Sequence, residues 1–285
     1  MKPTPILSSL LALTLMGSAW GADFTISTGK EGGGYYGIGQ RLAEVMAEQD
    51  TEAQVITSVG SVENLNRLND PDSPVNVTLT QADALKDYLN QNPDFESRLL
   101  MLGNMGQECV FIVAGQNSGI EDDGDLQRED NDFRISVQSP DSGVAVTWQY
   151  MTSLEEGFKN TQPAFVDTLE ALLEIKSGGG RIKAAMMVQR PDAKSPAMQV
   201  VLDNPDVYRF VEVNDWDLND KLPDGSAVYT FETVTVQEKS WGFDTKVDTI
   251  CTHALLVTNR EKLSADLRSR LARVVLLAEE RLKGR

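Results

Sequence analysis

Residues 24–40 read as a strand, a glycine loop and a helix start in immediate succession. Gly29, Gly32, Gly33 and Gly34 tolerate positive φ and let a ligand approach the main chain closely. The first N–H groups of a helix lack partners inside it and carry the positive end of its dipole, so such a loop suits an anion. Gly33 and Gly34 would donate main-chain N–H groups, and Tyr35 and Tyr36 add hydroxyls beside them. Two further places repeat the pattern: Ser61 and Asn64 follow the strand pattern of residues 54–59, and Gln81 ends that of residues 75–80. Hydroxyls and amides at the carboxyl edge of an α/β sheet can hold a carboxylate without a matching cation. Ser61 is equally a natural helix N-cap, with Glu63 in the first turn.

Farther along, Ser139-Pro140-Asp141-Ser142-Gly143 precedes another helix, and Ser142 could reach a ligand or cap that helix. Lys30 and Lys183 are the candidate cations of the cleft, or solvated surface charges. Gly32, Gly34 and Gly37 also satisfy a dinucleotide-binding spacing, but Gly60 follows the second strand where an acid is required. His253 is the sole histidine and falls inside a strand pattern, as a hydrogen-bonded core residue would. The chain has no Gly-x-Ser-x-Gly turn and no zinc-ligand spacing. The acids at 121–123 and 129–130 lack EF-hand spacing and read as a solvated loop. The expectation is a binding protein with no catalytic residue, metal or cofactor.

The elements that position these residues alternate between strands and helices, which argues for α/β layers. Residues 99–102 and 109–114 read as two strands, and a polar, glycine-bearing stretch at 115–125 as a crossing into a second lobe. There the pattern restarts: strand 133–137, helix 144–154, a helix over 164–176 stopped by Gly178-Gly179-Gly180, and strands near 182–188 and 207–213. Residues 228–236 and 247–257 are β-rich and would return the chain to the first lobe. A final helix carries Leu263, Leu267, Leu271, Val274, Ala278 and Leu282 on one stripe.

Lys2, an apolar run over 6–16 and small residues at 19 and 21 read as a cleavable export signal over residues 1–21. That run is too short to span a bilayer, so the expectation is a periplasmic protein with no stable membrane insertion. The net charge of −17 speaks against nucleic acid and anionic membranes as partners. Cys109 and Cys251 fall in strands flanking the lobe crossings; if those strands are neighbours, a disulfide joins the early chain to the late chain.

Three segments together resemble the TAXI family of solute-binding proteins of TRAP transporters. They are Thr28-Gly29 followed by Gly33-Gly34-Tyr35-Tyr36, then Gly60 through Leu65, then Thr80-Gln81-Ala82-Asp83. The resemblance implies a two-lobed type II periplasmic binding protein fold with a ligand cleft between the lobes. It implies capture of a small organic anion, such as glutamate or a related dicarboxylate or 2-oxo acid, for a TRAP-type membrane permease. The chain departs from the family at Val144, where a threonine is usual, and at Lys183, where an acid is usual. The expected division is lobe one over 22–116 and 229–285 and lobe two over 117–228, with hinges at 115–118 and 227–230. The expected ligand set is Gly33, Gly34, Tyr35, Tyr36, Ser61, Asn64, Gln81 and Ser142. A ligand-presenting sensory adaptor for a membrane receptor would use the same fold.

Overall fold

The computed structural model describes residues 22–238 and 242–282, so the export signal read over residues 1–21 lies outside the described residues. The chain runs β1 (Phe24–Ser27), α1 (Gly34–Ala47), β2 (Ala53–Ile56), α2 (Ser61–Asn69), β3 (Val77–Gln81), α3 (Ala82–Gln91) and a short α4 (Pro93–Glu96). A long β4 (Leu99–Gly115) leads to a short α5 (Asp123–Leu126), β5 (Arg134–Ser136), α6 (Gly143–Leu154), β6 (Gln162–Ala164) and α7 (Thr168–Ser177). Then come β7 (Ile182–Gln189), α8 (Pro196–Asp203), β8 (Tyr208–Val211), β9 (Thr230–Gln237), β10 (Thr245–Asn259) and α9 (Ala265–Leu282).

All strands join one sheet in the order β2-β1-β3-β10-β4-β7-β5-β6, with β8 on β4 and β9 on β10. Two parallel trios, β2-β1-β3 and β7-β5-β6, are linked through the antiparallel pair β4 and β10. The inner strands β1 and β3 are buried along their whole length, as strands covered on both faces must be. Helices α1 and α9 cover one face, through Ile38, Leu42, Met46, Leu271 and Val274. The stripe expected on the last helix is buried at Leu263, Leu271 and Val274; the side chains of Ala278 and Leu282 lie outside those described. One apolar cluster runs through both halves, bringing Leu65, Leu68 and Leu85 together with Val144, Trp148 and Tyr150. No helix among the described residues is long and apolar enough to cross a membrane.

The two strands expected over 99–102 and 109–114 are one strand, β4. Gly103, Asn104 and Gly106 read as breakers, but they form the irregular stretch where the register against β10 shifts, and Gly106 takes φ 142°. Residues Leu99 to Cys109 of β4 pair with β10, while Cys109 to Gly115 pair with β7 and β8. The change of partner strands thus falls at Cys109 inside β4, ahead of the stretch at 115–125 read as a crossing. At that point Cys109 faces Cys251 with a Cα–Cα distance of 3.9 Å, and the two form a disulfide across 142 residues of chain. Gly178 ends α7 in the left-handed conformation that the triple glycine suggested.

The bond closes a long loop in the unfolded chain, so its reduction should cost about 2–4 kcal/mol of stability. Urea midpoints measured with and without dithiothreitol check this, and equal midpoints would remove the bond from the stability of the fold.

Candidate functional site

The carboxyl ends of β1, β2, β3 and β5 deliver their loops to one cavity of about 210 Å³ between the two halves. From the first half it is lined by Gly29, Gly33, Gly34, Tyr35, Gly60, Ser61 and Gln81. Gln138, Gly143, Val144 and Val188 close it from the other side, and Glu108 of β4 contributes from the connecting strand. Four helices begin at this space. The N-caps of α1, α2 and α3 are Gly33, Gly60 and Gln81, and none makes a side-chain cap hydrogen bond. Their caps thus bring no side-chain acceptor to the first turn, although in α3 the Ala84 N–H donates to Asp83 Oδ1 at 2.8 Å.

Of the expected ligand set, Gly33, Gly34, Tyr35, Ser61 and Gln81 line the cavity, whereas Tyr36, Asn64 and Ser142 do not. Asn64 is fully buried behind the cleft with its amide spent on the protein. Its Oδ1 accepts from Ser27 Oγ at 2.6 Å, and its Nδ2 donates to the carbonyls of Thr28 and Leu79. It ties the ends of β1 and β3 together instead of facing a ligand. Ser61 is the first residue of α2, not its N-cap, and its hydroxyl accepts from the Gln81 N–H at 3.1 Å. Glu63 reaches back to the Val59 N–H instead, at 2.7 Å. Ser142 caps α6, accepting from the Ala145 N–H and donating to the Val137 carbonyl, both at 3.1 Å. Lys30 is exposed outside the lining, and Lys183 donates to the Gly178 carbonyl at 3.1 Å, so neither cation faces the cavity.

The two halves touch at the cavity wall. A Cβ on Gly143 would lie 2.2 Å from Gln81 Oε1, so the start of α6 packs directly against this amide and a side chain there would displace it. Behind it, buried Asp83 of α3 accepts from Thr147 Oγ1 of α6 at 2.7 Å and from the Tyr229 hydroxyl at 3.0 Å. Burial pushes the Asp83 carboxyl above its ordinary range, against these hydrogen bonds.

Sequence reasoning missed Glu108, among the described residues the one charged side chain in the cavity lining. The Tyr35 hydroxyl donates to its Oε2 at 3.1 Å. Burial above all, with the charge of Asp83, lifts its carboxyl to about 7, while Tyr35 and Arg190 pull the other way. Nothing in a strand pattern announces such a residue, since its importance comes from where β4 crosses. Gln138 was missed too; it holds φ at 63°, a left-handed backbone uncommon outside glycine, and donates to Thr168 Oγ1 at 3.1 Å. Its signal was its place just before the Ser139–Gly143 loop. Tyr35 and Glu108 also line a second cavity of about 230 Å³, together with Arg41, Gln107 and Arg190.

His253 is half-buried, with Nδ1 2.9 Å from Asn104 Nδ2. In the acidic loop, Asp123 accepts from the N–H groups of Asn214 and Asp215, both at 2.7 Å. Among the described residues Glu155, Asp215 and Asp217 bring carboxylate oxygens within 4.8 Å of one another. Glu155 and Asp215 are already engaged by the N–H groups of Gly157 and Asp217.

Asn64→Ala would strand three buried partners, so it should cost about 2–4 kcal/mol in urea unfolding. A variant of native stability would return Asn64 to the candidate ligand contacts. Glu108 binds its proton more tightly folded, at about 7, than at its ordinary 4.5, so the folded state holds the extra proton between these values. Its contribution to stability is therefore greatest at low pH and declines as pH rises from 4.5 to about 7. Melting temperatures across this range should show Glu108→Gln losing part of that decline, and parallel curves would count against it.

Comparison with known proteins places this geometry among relatives. The profile of the NMT1-like family matches residues 26–283. No curated protein matches the sequence. Among solved structures, XAC2383 from Xanthomonas citri bound to ATP aligns at 11% identity over 91% of this chain and 85% of that one, with a TM-score of 0.56. The periplasmic aliphatic sulphonate binding protein SsuA from Escherichia coli aligns at 14% identity over 92% and 72% of the two chains, with a TM-score of 0.49. YhfZ from Shigella flexneri gives 12% identity over 92% and 90%, also with a TM-score of 0.49. Two α/β halves joined by paired strands, with a cleft between them, are the type II periplasmic binding protein fold that the sequence resemblance implied.

Proposed function

The chain belongs to the NMT1-like family, and from that premise and the shape of the cleft we propose that it is a periplasmic solute-binding protein that captures a small organic anion for a membrane permease. The carrying observation is that α1, α2 and α3 begin on one side of a single cavity and α6 on the other. Main-chain N–H groups at Gly34 and Ser61, with the Ser61 hydroxyl and the Gln81 amide, supply donors from the first half. The start of α6 at Gly143 supplies them from the second. Val144 and Val188 add an apolar wall, suited to a short carbon chain. Glutamate and related dicarboxylates or 2-oxo acids fit this description, and a TRAP-type permease is the partner that the motifs around the glycine loop favour.

Capture would work by closure. Contacts made only when both halves meet the ligand shift the protein toward the closed state by their differential free energy. The link between the halves is the crossing of β4 and β10, so bending is assigned to those strands around Cys109 and Cys251. The turns at 115–118 and 227–230 then follow the motion without driving it.

Gly34 offers a direct test, because a Cβ there meets nothing within 4 Å. Gly34→Leu should fold normally yet project into the cavity and abolish binding. The measurement is thermal shift and titration calorimetry against amino acids, dicarboxylates and 2-oxo acids. A ligand at 100 times its Kd should stabilise the wild type by about 2.7 kcal/mol, and Gln81→Ala should weaken it roughly tenfold through the lost amide donor. Undiminished binding by Gly34→Leu would show that the ligand sits elsewhere.

A further inference from the structure

We infer that Glu108 selects the ligand class: the bound anion also carries a cationic donor, an ammonium group, which meets this carboxylate. The inference rests on reading the cleft as a ligand site. Its ground is a mismatch within the lining. Among the described residues every other polar contributor is a main-chain group at a helix start, a hydroxyl or an amide, and no lysine or arginine lines this cavity. Helix starts favour negative charge, so the anionic end of a ligand belongs there. Glu108 then stands in the same space of about 210 Å³ as a second negative group. A plain dianion would bring like charges together in a poorly solvated cleft, which opposes binding.

The groups facing Glu108 do not remove this conflict. From α1, the Tyr35 hydroxyl donates one neutral hydrogen bond at 3.1 Å. From α3, Asp83 adds negative charge. Arg41 of α1 and Arg190 just beyond β7 line the neighbouring cavity together with Glu108; Arg190 offsets its charge in part, is also paired with Asp192 at 3.1 Å, and is outweighed by burial and Asp83. A partly buried carboxylate supported by one hydroxyl is costly unless a counter-charge arrives. A ligand ammonium supplies that charge only when bound, so it rewards the right ligand and not the empty protein. The same arrangement penalises the isostere that lacks the amine.

The position of Glu108 strengthens the case. It immediately precedes Cys109, whose disulfide fixes β4 against β10. The carboxylate is thus held on the connecting strand, in reach of a ligand gripped by either half. It acts as a discriminator whose register cannot slip.

The test is titration calorimetry at pH 7.5 with matched pairs: L-glutamate against glutarate and 2-oxoglutarate, and L-alanine and L-leucine against propionate and 4-methylpentanoate. The wild type should prefer the amine-bearing member of a pair by roughly 10–100-fold, the range of a charge-assisted hydrogen bond. Glu108→Gln should reduce that ratio to within a few-fold while still unfolding in one cooperative transition, and Glu108→Asp, which retains the charge, should preserve the preference. Des-amino anions that bind as well as the amino acids, or better as pH falls, would overturn the inference and leave the binding role intact. Such a result would mean that protonated Glu108 donates to the anion. Failure of every compound to bind would overturn both readings together.

Discussion

The antiparallel pairing of β4 with β10 is the constraint on which the molecule depends. Each half of the sheet has its own parallel trio, and only these two long strands belong to both. Parallel strands need helical crossovers, and the crossovers put helix starts at one sheet edge. Joining two such trios through a shared antiparallel pair turns their edges toward each other. The cleft follows from that topology, and the disulfide at Cys109 and Cys251 marks the place where the register of the whole assembly is held.

Around that pair, polar residues divide into those that build the cleft and those that face it. Asn64, Ser61 and Ser142 have the chemistry of ligand donors, yet Asn64 and Ser142 spend it on the backbone and Ser61 accepts from Gln81. An orphan main-chain group inside the protein costs more than one hydrogen bond to a transient ligand returns, so the strand ends claim these side chains first. The cavity wall is left with glycine main chain at helix starts, beside Ser61 and Gln81. Asp83, Thr147 and Tyr229 form a buried polar joint between α3, α6 and the segment leading to β9. That joint sets how closely the start of α6 can approach Gln81.

A cleft built from neutral donors has a weak grip on charge balance, and one ionisable group then has large influence. Glu108 is the ionisable group here, and burial above all lifts its proton affinity to about 7, with Arg190 offsetting that only in part. Its neighbour Tyr35, which the glycine loop places at the start of α1, orients the carboxyl and separates the main cavity from the one lined by Arg41 and Arg190. Tyr35 holds the group from one half, and β4 fixes its position beside the disulfide.

Local pattern was enough to read the α/β class, most of the elements and the glycine-rich edge. Helix and strand periods, the Gly178 stop and the Ser142 cap are all decided within a few residues of chain. Gly33, Gly34, Tyr35, Ser61 and Gln81 were legible as lining because strand ends and helix starts are local events. Breakers within β4 were misleading, since Gly103 and Gly106 mark an irregular register rather than a turn, and only the partner strand reveals the difference. The spending of Asn64 on Thr28 and Leu79 was equally invisible, because those carbonyls arrive from two other strands. Tertiary structure alone brought Glu108, Gln138 and Val188 to the cavity, from β4, the loop after β5, and β7, whose order in the sheet is not their order in the chain. Residue type follows local chemistry, whereas the charge balance of a cleft is a sum over groups that meet only after the sheet has closed.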